Sequence, residues 1–254
     1  MHSCYRHPER ETGVSCQRCD RFICTECATA GAVGYLCPED AGDRVKIQKA
    51  NFQKTLFQRA PITLSLIGMN VVVFIAQLLI PNMQLYVYFA PSYVGMGGLQ
   101  HALASGFAHS TSQLTHILFN MYSLFVLGTL LEPYLGKIKF LSLYLLSMLG
   151  GCAAVVYLAP DSIVVGASGA IFGLMGAYVV VMRAHGIDAS QILVLIGINL
   201  FLSFLPGISW QSHIGGLVTG LVVGAAYVLV KKKADIVLPL ILGGLGGILI
   251  SLIG

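Results

Sequence analysis

The sequence predicts an all-α polytopic membrane protein with a small cysteine-rich module at its N-terminus. Of the 254 residues, 56% are hydrophobic and only 10% are charged, whereas about 25% are charged in an average soluble domain. The mean hydropathy of the chain is +0.79. The first 60 residues differ from the rest, because they hold six of the seven cysteines and contain no apolar run long enough to span a bilayer.

The membrane part follows from apolar runs, since a helix needs about 20 apolar residues to cross the hydrocarbon core. We predict roughly seven such helices, at 62–80, 113–131, 139–158, 167–183, 190–206, 211–230 and 235–253. No signal peptide is expected, because the N-terminus is polar where a short apolar segment would have to stand. We therefore divide the chain into a module over 1–43, a basic linker over 44–60 and a transmembrane domain over 61–254.

The basic residues follow a pattern that predicts topology. Nine of the 15 Lys and Arg residues precede residue 60. The other six stand in or at the edges of the linkers after the second, fourth and sixth predicted helices: Lys137, Lys139, Arg183, Lys231, Lys232 and Lys233. Basic residues favour the cytoplasmic side, so we expect a cytoplasmic N-terminus and a C-terminus outside. Because this pattern accounts for the net charge of +4, we expect no nucleic-acid partner.

The N-terminal module contains four pairs of metal-ligand residues, and the members of each pair are separated by two residues. The pairs are Cys4 and His7, Cys16 and Cys19, Cys24 and Cys27, and Cys37 and Asp40. This spacing is typical of tetrahedral zinc sites. Alternating pairs would form two sites, one from the first and third pairs and one from the second and fourth.

Two alternatives to a pair of zinc sites remain open. Asp40 is the weakest ligand, so the module could hold one zinc ion with a loose second site. A disulfide framework is the other alternative, which a cytoplasmic location disfavours because thiols stay reduced there. The arrangement over about 1–43 resembles B-box-type zinc modules. That resemblance implies protein interaction rather than catalysis, and the expected partner is a cytoplasmic protein. Four ligands leave no open coordination position for water, so the metal is expected to be structural.

Four polar residues stand near the predicted outer ends of three membrane helices: His116, Asn120, Ser168 and His213. Each has an ordinary explanation, since serine often bonds a helix carbonyl and histidine or asparagine often lies at a membrane interface. Together, at one depth, they predict a hydrolytic site. A serine hydroxyl needs a base such as histidine to attack a carbonyl, and amide and ring N–H groups can stabilise the resulting oxyanion.

The predicted site lacks a third catalytic member, because no carboxylate lies in the apolar part of the fourth or sixth predicted helix. A Ser168–His213 dyad is therefore the expected arrangement, and no cofactor is expected for catalysis. Glycines recur every four residues on the same two helices, at Gly169 and Gly173 and at Gly216, Gly220 and Gly224. Small residues at this spacing let membrane helices approach closely.

From about residue 60 to 254 the chain resembles the rhomboid intramembrane serine proteases. The resemblance rests on Gly-Ala-Ser-Gly at 166–169, on His213 with the glycine series that follows it, on His116-x3-Asn120 and on Glu132-x3-Gly136. It implies a six-helix core with one additional C-terminal transmembrane helix. It also implies Ser168 as nucleophile, His213 as general base, and His116 with Asn120 in the oxyanion hole.

The resemblance further implies the substrate. It would be the transmembrane segment of another protein in the lipid bilayer, entering laterally and unwinding near the outer leaflet. Small residues would be preferred at the cleavage site. The expected location is the plasma membrane, with the active site open to the outer face.

Several residues differ from the family pattern or have ordinary explanations. Phe172 stands where family members commonly have a tyrosine packed under the histidine, and the Trp-Arg pair typical of the first outer loop is absent. Glu132 is expected to be structural and to bond nearby backbone or Lys137. We interpret three further histidines as solvated and Cys152 as a core residue. The three histidines are His101, His109 and His185.

Two other classes of protein are considered. A catalytically silent rhomboid-like protein would bind membrane clients, but such relatives usually lack the nucleophile or the base. A transporter would usually place ionisable residues or broken helices near the midplane of the membrane. The sequence therefore favours an intramembrane serine endopeptidase, with the client-binding protein as the alternative.

Overall fold

The structure, a computed structural model, describes residues 2–30, 34–41, 56–94 and 97–229. The chain forms two compact units, Met1–Thr55 and Leu56–Gly254. The predicted seventh helix over 235–253 lies outside the described residues, as do Lys231–Lys233 and residues 44–55 of the predicted linker.

The N-terminal unit is built from two short antiparallel hairpins and one helical turn. Strand β1 (His2–Ser3) pairs with β2 (Glu11–Thr12), β3 (Thr29–Ala30) pairs with β4 (Tyr35–Leu36), and α1 spans Pro38–Ala41. Among the described residues of this unit, the main buried cluster consists of Ile23 and five cysteines. So small a core is insufficient to hold a fold by apolar burial alone, which favours a metal as the additional source of stability.

The second unit is helical, which confirms the all-α prediction for the membrane part. Its helices are α2 (Leu56–Arg59), α3 (Pro61–Leu79), α4 (Gln84–Val87), α5 (Gly98–Ser105), α6 (Leu114–Leu135), α7 (Lys137–Leu158), α8 (Ser168–Ala184), α9 (Ser190–Leu202) and α10 (Trp210–Leu229). The six long helices match the first six predicted segments. Helices α4 and α5 and a 3-10 turn at Pro91–Tyr93 lie where the sequence predicted only a linker.

Helices α3, α6, α7 and α10 are long and apolar enough to cross a membrane, and α8 and α9 are shorter apolar helices. Helix α9 ends four residues before its predicted end at 206. The backbone N–H of Ser203 donates to the carbonyl oxygens of Asn199 and Leu200, at 3.0 and 3.1 Å, which tightens the last turn and stops the helix.

Glu132 joins two of the long helices. Its buried carboxylate accepts hydrogen bonds from the backbone N–H groups of Ile62 and Thr63, at 2.9 and 2.7 Å, and from the Thr63 hydroxyl at 2.7 Å. These N–H groups belong to the first turn of α3, where no helical carbonyl can accept them. Glu132 therefore bonds to the start of α3. The predicted partners were nearby backbone or Lys137, and the observed partners are backbone N–H groups of another helix.

The core of this unit lies where α7, α8 and α10 pack against one another. Glycines bring α8 and α10 into backbone contact: an added Cβ on Gly216 would overlap the carbonyl of Gly169, and one on Gly220 would overlap that of Gly173. Such close approach allows side chains at the ends of these two helices to reach each other.

Candidate active site

Ser168 and His213 are hydrogen-bonded across two helices. Ser168 opens α8 and is half-buried, and His213 lies in the first turn of α10 with 7% of its surface exposed. The Ser168 Oγ atom lies 2.8 Å from His213 Nε2. A hydroxyl at this distance from an unprotonated imidazole nitrogen can pass its proton to the ring as it attacks a carbonyl carbon.

The ring of Phe172 packs under the ring of His213. The two centroids are 4.3 Å apart and the planes are inclined by 17°, so the rings are stacked. Phe172 is one turn beyond Ser168 on α8 and is itself buried. The stacking restricts the plane of the imidazole without any contribution from a hydroxyl group.

His116, at the start of α6, faces the start of α8. Its Nδ1 atom accepts a hydrogen bond from the backbone N–H of Ser110 at 3.3 Å. A neutral imidazole that accepts at Nδ1 carries its hydrogen on Nε2. A Cβ built on Gly166 would lie 2.8 Å from this Nε2 and 3.9 Å from Ser168 Oγ, so both atoms border the space beside Gly166.

Gly166 combines this close approach with an unusual backbone conformation. Its φ of 122° is one that side chains of L-residues rarely adopt. Its N–H donates to the carbonyl oxygen of Ser105 at 2.9 Å, which ties the segment before Ser168 to the end of α5.

Gln77 supports the same region and was missed by the sequence analysis. Its side-chain amide accepts from the backbone N–H of His109 at 2.9 Å and donates to the carbonyl oxygen of His109 at 3.0 Å. This pair of bonds fixes the turn that presents the Ser110 N–H to His116. A lone glutamine near the end of an apolar segment was the only signal available.

The other histidines have mixed outcomes. The interpretation of His109 as solvated was wrong, because none of its surface is exposed and its ring lies 5.1 Å from that of His116. His101 is only half-buried, with Nδ1 3.0 Å from the carbonyl oxygen of Tyr88. His185 is exposed, as expected.

Cys152 is 3% exposed, which agrees with its interpretation as a core residue.

Asn120 lies one turn beyond His116 on α6 and is buried. Its Nδ2 atom donates to the carbonyl oxygen of His116 at 2.8 Å, within the same helix. An amide nitrogen carries two hydrogens, so one N–H remains after this bond is made.

Ser203 is a further polar residue at this site that the sequence analysis missed. Its Oγ atom lies 2.6 Å from His213 Nδ1, on the opposite side of the ring from Ser168. Asn199 and Ser203 are one helical turn apart in an otherwise apolar segment, and this polar pair was the available signal.

The N-terminal unit brings the predicted metal ligands into two groups. One contains Cys4, His7, Cys24 and Cys27, and the other contains Cys16, Cys19, Cys37 and Asp40. In each group the ligand atoms all lie within 4.8 Å of one another. This is the alternating arrangement expected from the spacing of the pairs.

The distances fit a tetrahedral metal site, whose corner atoms are about 3.3–3.8 Å apart for zinc bond lengths. In the first group His7 Nδ1 lies 3.3 Å from Cys24 Sγ and 3.4 Å from Cys27 Sγ. In the second, Cys19 Sγ and Cys37 Sγ are 3.7 Å apart. Both groups could therefore hold a metal ion.

Asp40 is an anionic member of the second group. Hydrogen bonds from the thiols of Cys19, Cys37 and Cys16 lower the pKa of Asp40 to about 2, so its carboxylate is ionised at neutral pH. Its Oδ2 atom lies 3.2 Å from Cys16 Sγ and 3.1 Å from Cys37 Sγ. The carboxylate thus stands where a fourth ligand is required.

Comparison with known proteins gives matches in the membrane part of the chain. The chain is 40% identical to RHOMBOID-like protein 2 of Arabidopsis thaliana, 35% identical to its mitochondrial RHOMBOID-like protein 6, and 31% identical to rhomboid protease AarA of Providencia stuartii. The matches cover 44%, 44% and 47% of this chain and 37%, 38% and 53% of those proteins, respectively. Residues 96–230, more than half of the 254 residues, match the Rhomboid domain. The chain therefore belongs to the rhomboid family.

Proposed function

We propose that this integral membrane protein is a serine endopeptidase that cleaves transmembrane segments with Ser168 and His213 as a catalytic dyad. The rhomboid family consists mostly of intramembrane serine proteases, and AarA is named as a rhomboid protease. The observation that carries the proposal is the 2.8 Å hydrogen bond between Ser168 Oγ and His213 Nε2.

In the proposed reaction, Ser168 Oγ attacks the scissile carbonyl carbon while its proton passes to His213 Nε2. The carbonyl oxygen becomes an oxyanion, which the Nε2–H of His116, the remaining N–H of Asn120 and the backbone N–H of Ser168 stabilise. The last of these lies in the first turn of α8, where helical N–H groups have no carbonyl partner. His213 then protonates the leaving amine, and water deprotonated by His213 hydrolyses the acyl-enzyme.

The substrate that fits this site is a membrane-spanning helix of another protein. Backbone carbonyls in a lipid-embedded helix are held in hydrogen bonds, so cleavage requires local unwinding. Small residues at the cleavage site would favour that unwinding. We further propose that the protein lies in the plasma membrane with the N-terminus in the cytoplasm and the site open to the outer face.

The test is cleavage of single-span reporter proteins by the full chain in liposomes. We compare wild type with Ser168→Ala, His213→Ala and the control Ser142→Ala, whose serine lies on α7 and bonds the carbonyl oxygen of Ile138. We expect wild type and the control to cleave the reporters and both dyad variants to lose cleavage. A fluorophosphonate probe should label Ser168 in the active proteins alone.

Two outcomes oppose the proposal. Cleavage that survives in Ser168→Ala indicates another nucleophile or a contaminating protease. A folded wild-type chain that neither cleaves the reporters nor reacts with the probe supports the alternative, a catalytically silent protein that binds membrane clients.

We also propose that residues 1–43 form a zinc module, joined by the linker 44–60 to the transmembrane domain 61–254. Each four-ligand group would hold one structural zinc ion, with no coordination position left for catalysis. Its expected partner is a cytoplasmic protein. Deletion of residues 1–45 should abolish capture of that partner while reporter cleavage by the transmembrane domain persists, and loss of cleavage would instead indicate a requirement for folding.

A further inference from the structure

We propose that Ser203 is a positioning residue that fixes the orientation and the proton of His213. This inference rests on the proposed protease function. Ser203 Oγ lies 2.6 Å from His213 Nδ1. Ser203 is 1% exposed and His213 is 7% exposed, so water has little access to compete for this hydrogen bond.

The direction of the hydrogen bond follows from a second contact of Ser203. Its Oγ atom also lies 2.6 Å from the carbonyl oxygen of Asn199. A carbonyl can only accept, so at this distance the single hydroxyl hydrogen must point towards it. Ser203 Oγ therefore accepts from Nδ1–H of His213.

This assignment determines the proton on the other ring nitrogen. A neutral imidazole with hydrogen on Nδ1 has a free lone pair on Nε2. That lone pair faces Ser168 Oγ at 2.8 Å and accepts the hydroxyl hydrogen. The contact with Ser203 thus selects the tautomer in which His213 can act as a base.

Ser203 also selects between two ring orientations that the stacking with Phe172 leaves open. A rotation of the imidazole by 180° about its Cβ–Cγ bond exchanges the positions of the ring nitrogen and carbon atoms while preserving the stacked geometry. Only one of these orientations places Nδ1 against Ser203 and Nε2 against Ser168. Phe172 therefore restricts the ring plane, and Ser203 sets which edge faces the nucleophile.

The same contact favours the charged state formed during the reaction. When the Ser168 proton moves to Nε2, His213 becomes an imidazolium and its Nδ1 hydrogen stays in place. The bond to Ser203 then becomes charge-assisted and stronger. Ser203 directly follows α9, and the C-terminal end of a helix favours a nearby cation. An uncharged serine would thereby do part of what a carboxylate does in a Ser-His-Asp triad.

The experiment compares Ser203→Ala, Ser203→Thr and the control Ser142→Ala in the full chain in liposomes. Ser142, on α7, also donates to the carbonyl oxygen four residues earlier, at 2.6 Å, and its other contact on α10 is with the hydroxyl of Tyr227, 14 residues beyond His213, at 3.0 Å. We expect Ser203→Ala to lower kcat by about 10- to 100-fold, the effect of losing a hydrogen bond to a charged group, with KM changed by less than about 2-fold. Ser203→Thr, which keeps the hydroxyl, should restore most of kcat.

A second variant keeps the test decisive if Ser203→Ala lowers the thermal midpoint of unfolding. Ser203→Cys fills a similar volume with a sulfur that accepts hydrogen bonds weakly, and the same loss of kcat is expected. An unchanged kcat in both variants, or an equal loss in Ser142→Ala, would overturn the inference while wild type still cleaves. A wild-type chain that neither cleaves nor reacts with the fluorophosphonate probe overturns the proposed function, and this inference with it.

Discussion

Gly166 lies directly against His116: a Cβ on Gly166 would be 2.8 Å from Nε2 of the histidine ring. Substitution to alanine would displace the ring and strain a backbone with φ of 122°. We expect Gly166→Ala to lower kcat by about 100-fold, the effect of losing one oxyanion donor, as measured by reporter cleavage.

The control for this prediction is Gly186→Ala. Gly186 also has a positive φ, of 67°, but an added Cβ would meet nothing within 4 Å. Gly186→Ala should lower the stability of the protein through backbone strain and leave kcat unchanged. Equal activity losses in the two variants would mean that strain, and not the position of His116, is responsible.

The contact between α8 and α10 predicts a stability effect at Gly216. An added Cβ there would overlap the carbonyl of Gly169, so the helices would have to separate. Gly216→Ala should lower the free energy of unfolding by about 1–3 kcal/mol, the usual cost of overpacking, as measured by thermal unfolding in detergent. Gly197→Ala is the control, because Gly197 lies on an exposed part of α9 with nothing within 4 Å of an added Cβ.

Glu132 predicts a second stability effect. Its carboxylate is 2% exposed and accepts from two backbone N–H groups of α3. Glu132→Ala would remove the acceptor of the buried Thr63 N–H, at a cost of about 1–3 kcal/mol in unfolding free energy, and that of the part-buried Ile62 N–H, at a smaller cost. Glu132→Gln, which keeps one acceptor oxygen, should lose less.

Asp188 offers the matched control for Glu132. Its exposed carboxylate accepts from the backbone N–H of Ser190 at the start of α9, at 3.1 Å. Because water can replace that bond, Asp188→Ala should lower the thermal midpoint less than Glu132→Ala. Equal shifts would contradict the importance of burial at Glu132.

The two ligand groups predict a metal stoichiometry. The purified full chain should contain two zinc ions, one for each group, as measured by elemental analysis. Cys24→Ser removes a ligand of the first group only and should reduce the content to one. Cys152→Ser, which changes the cysteine outside both groups, should leave it unchanged, and an unchanged content in Cys24→Ser would contradict the proposed site.

Zinc binding should also depend on pH. Burial raises the pKa of the Cys27 thiol to about 11 and that of Cys37 to about 12. Both thiols are therefore protonated at neutral pH without metal, and zinc must displace their protons to bind thiolates. The zinc affinity should rise with pH and fall on acidification, as measured by competition with a chelator between about pH 6 and about pH 8. A pH-independent affinity would argue against thiolate ligation.

The sequence alone determined the features that depend on local pattern. Apolar length predicted the six long helices in the described residues, because spanning a bilayer requires a run of fixed length. The two-residue spacing predicted the four ligand pairs, because two ligands on one tight turn can bind the same metal, and alternation of the pairs predicted the two groups. The polar residues at the ends of apolar segments indicated Ser168, His213 and His116.

The tertiary structure alone decided how these side chains are held. Ser203 contacts His213, Gln77 bonds to the backbone of His109, and Glu132 accepts from the first turn of α3, which are contacts between residues 10, 32 and 69 positions apart on different elements. The periodicity of the sequence does not predict such pairs, because they depend on the distance and orientation at which separate elements pack. The physical reason lies in the glycines between α8 and α10, whose missing side chains let two backbones touch and so set the distance across which Ser168 reaches His213.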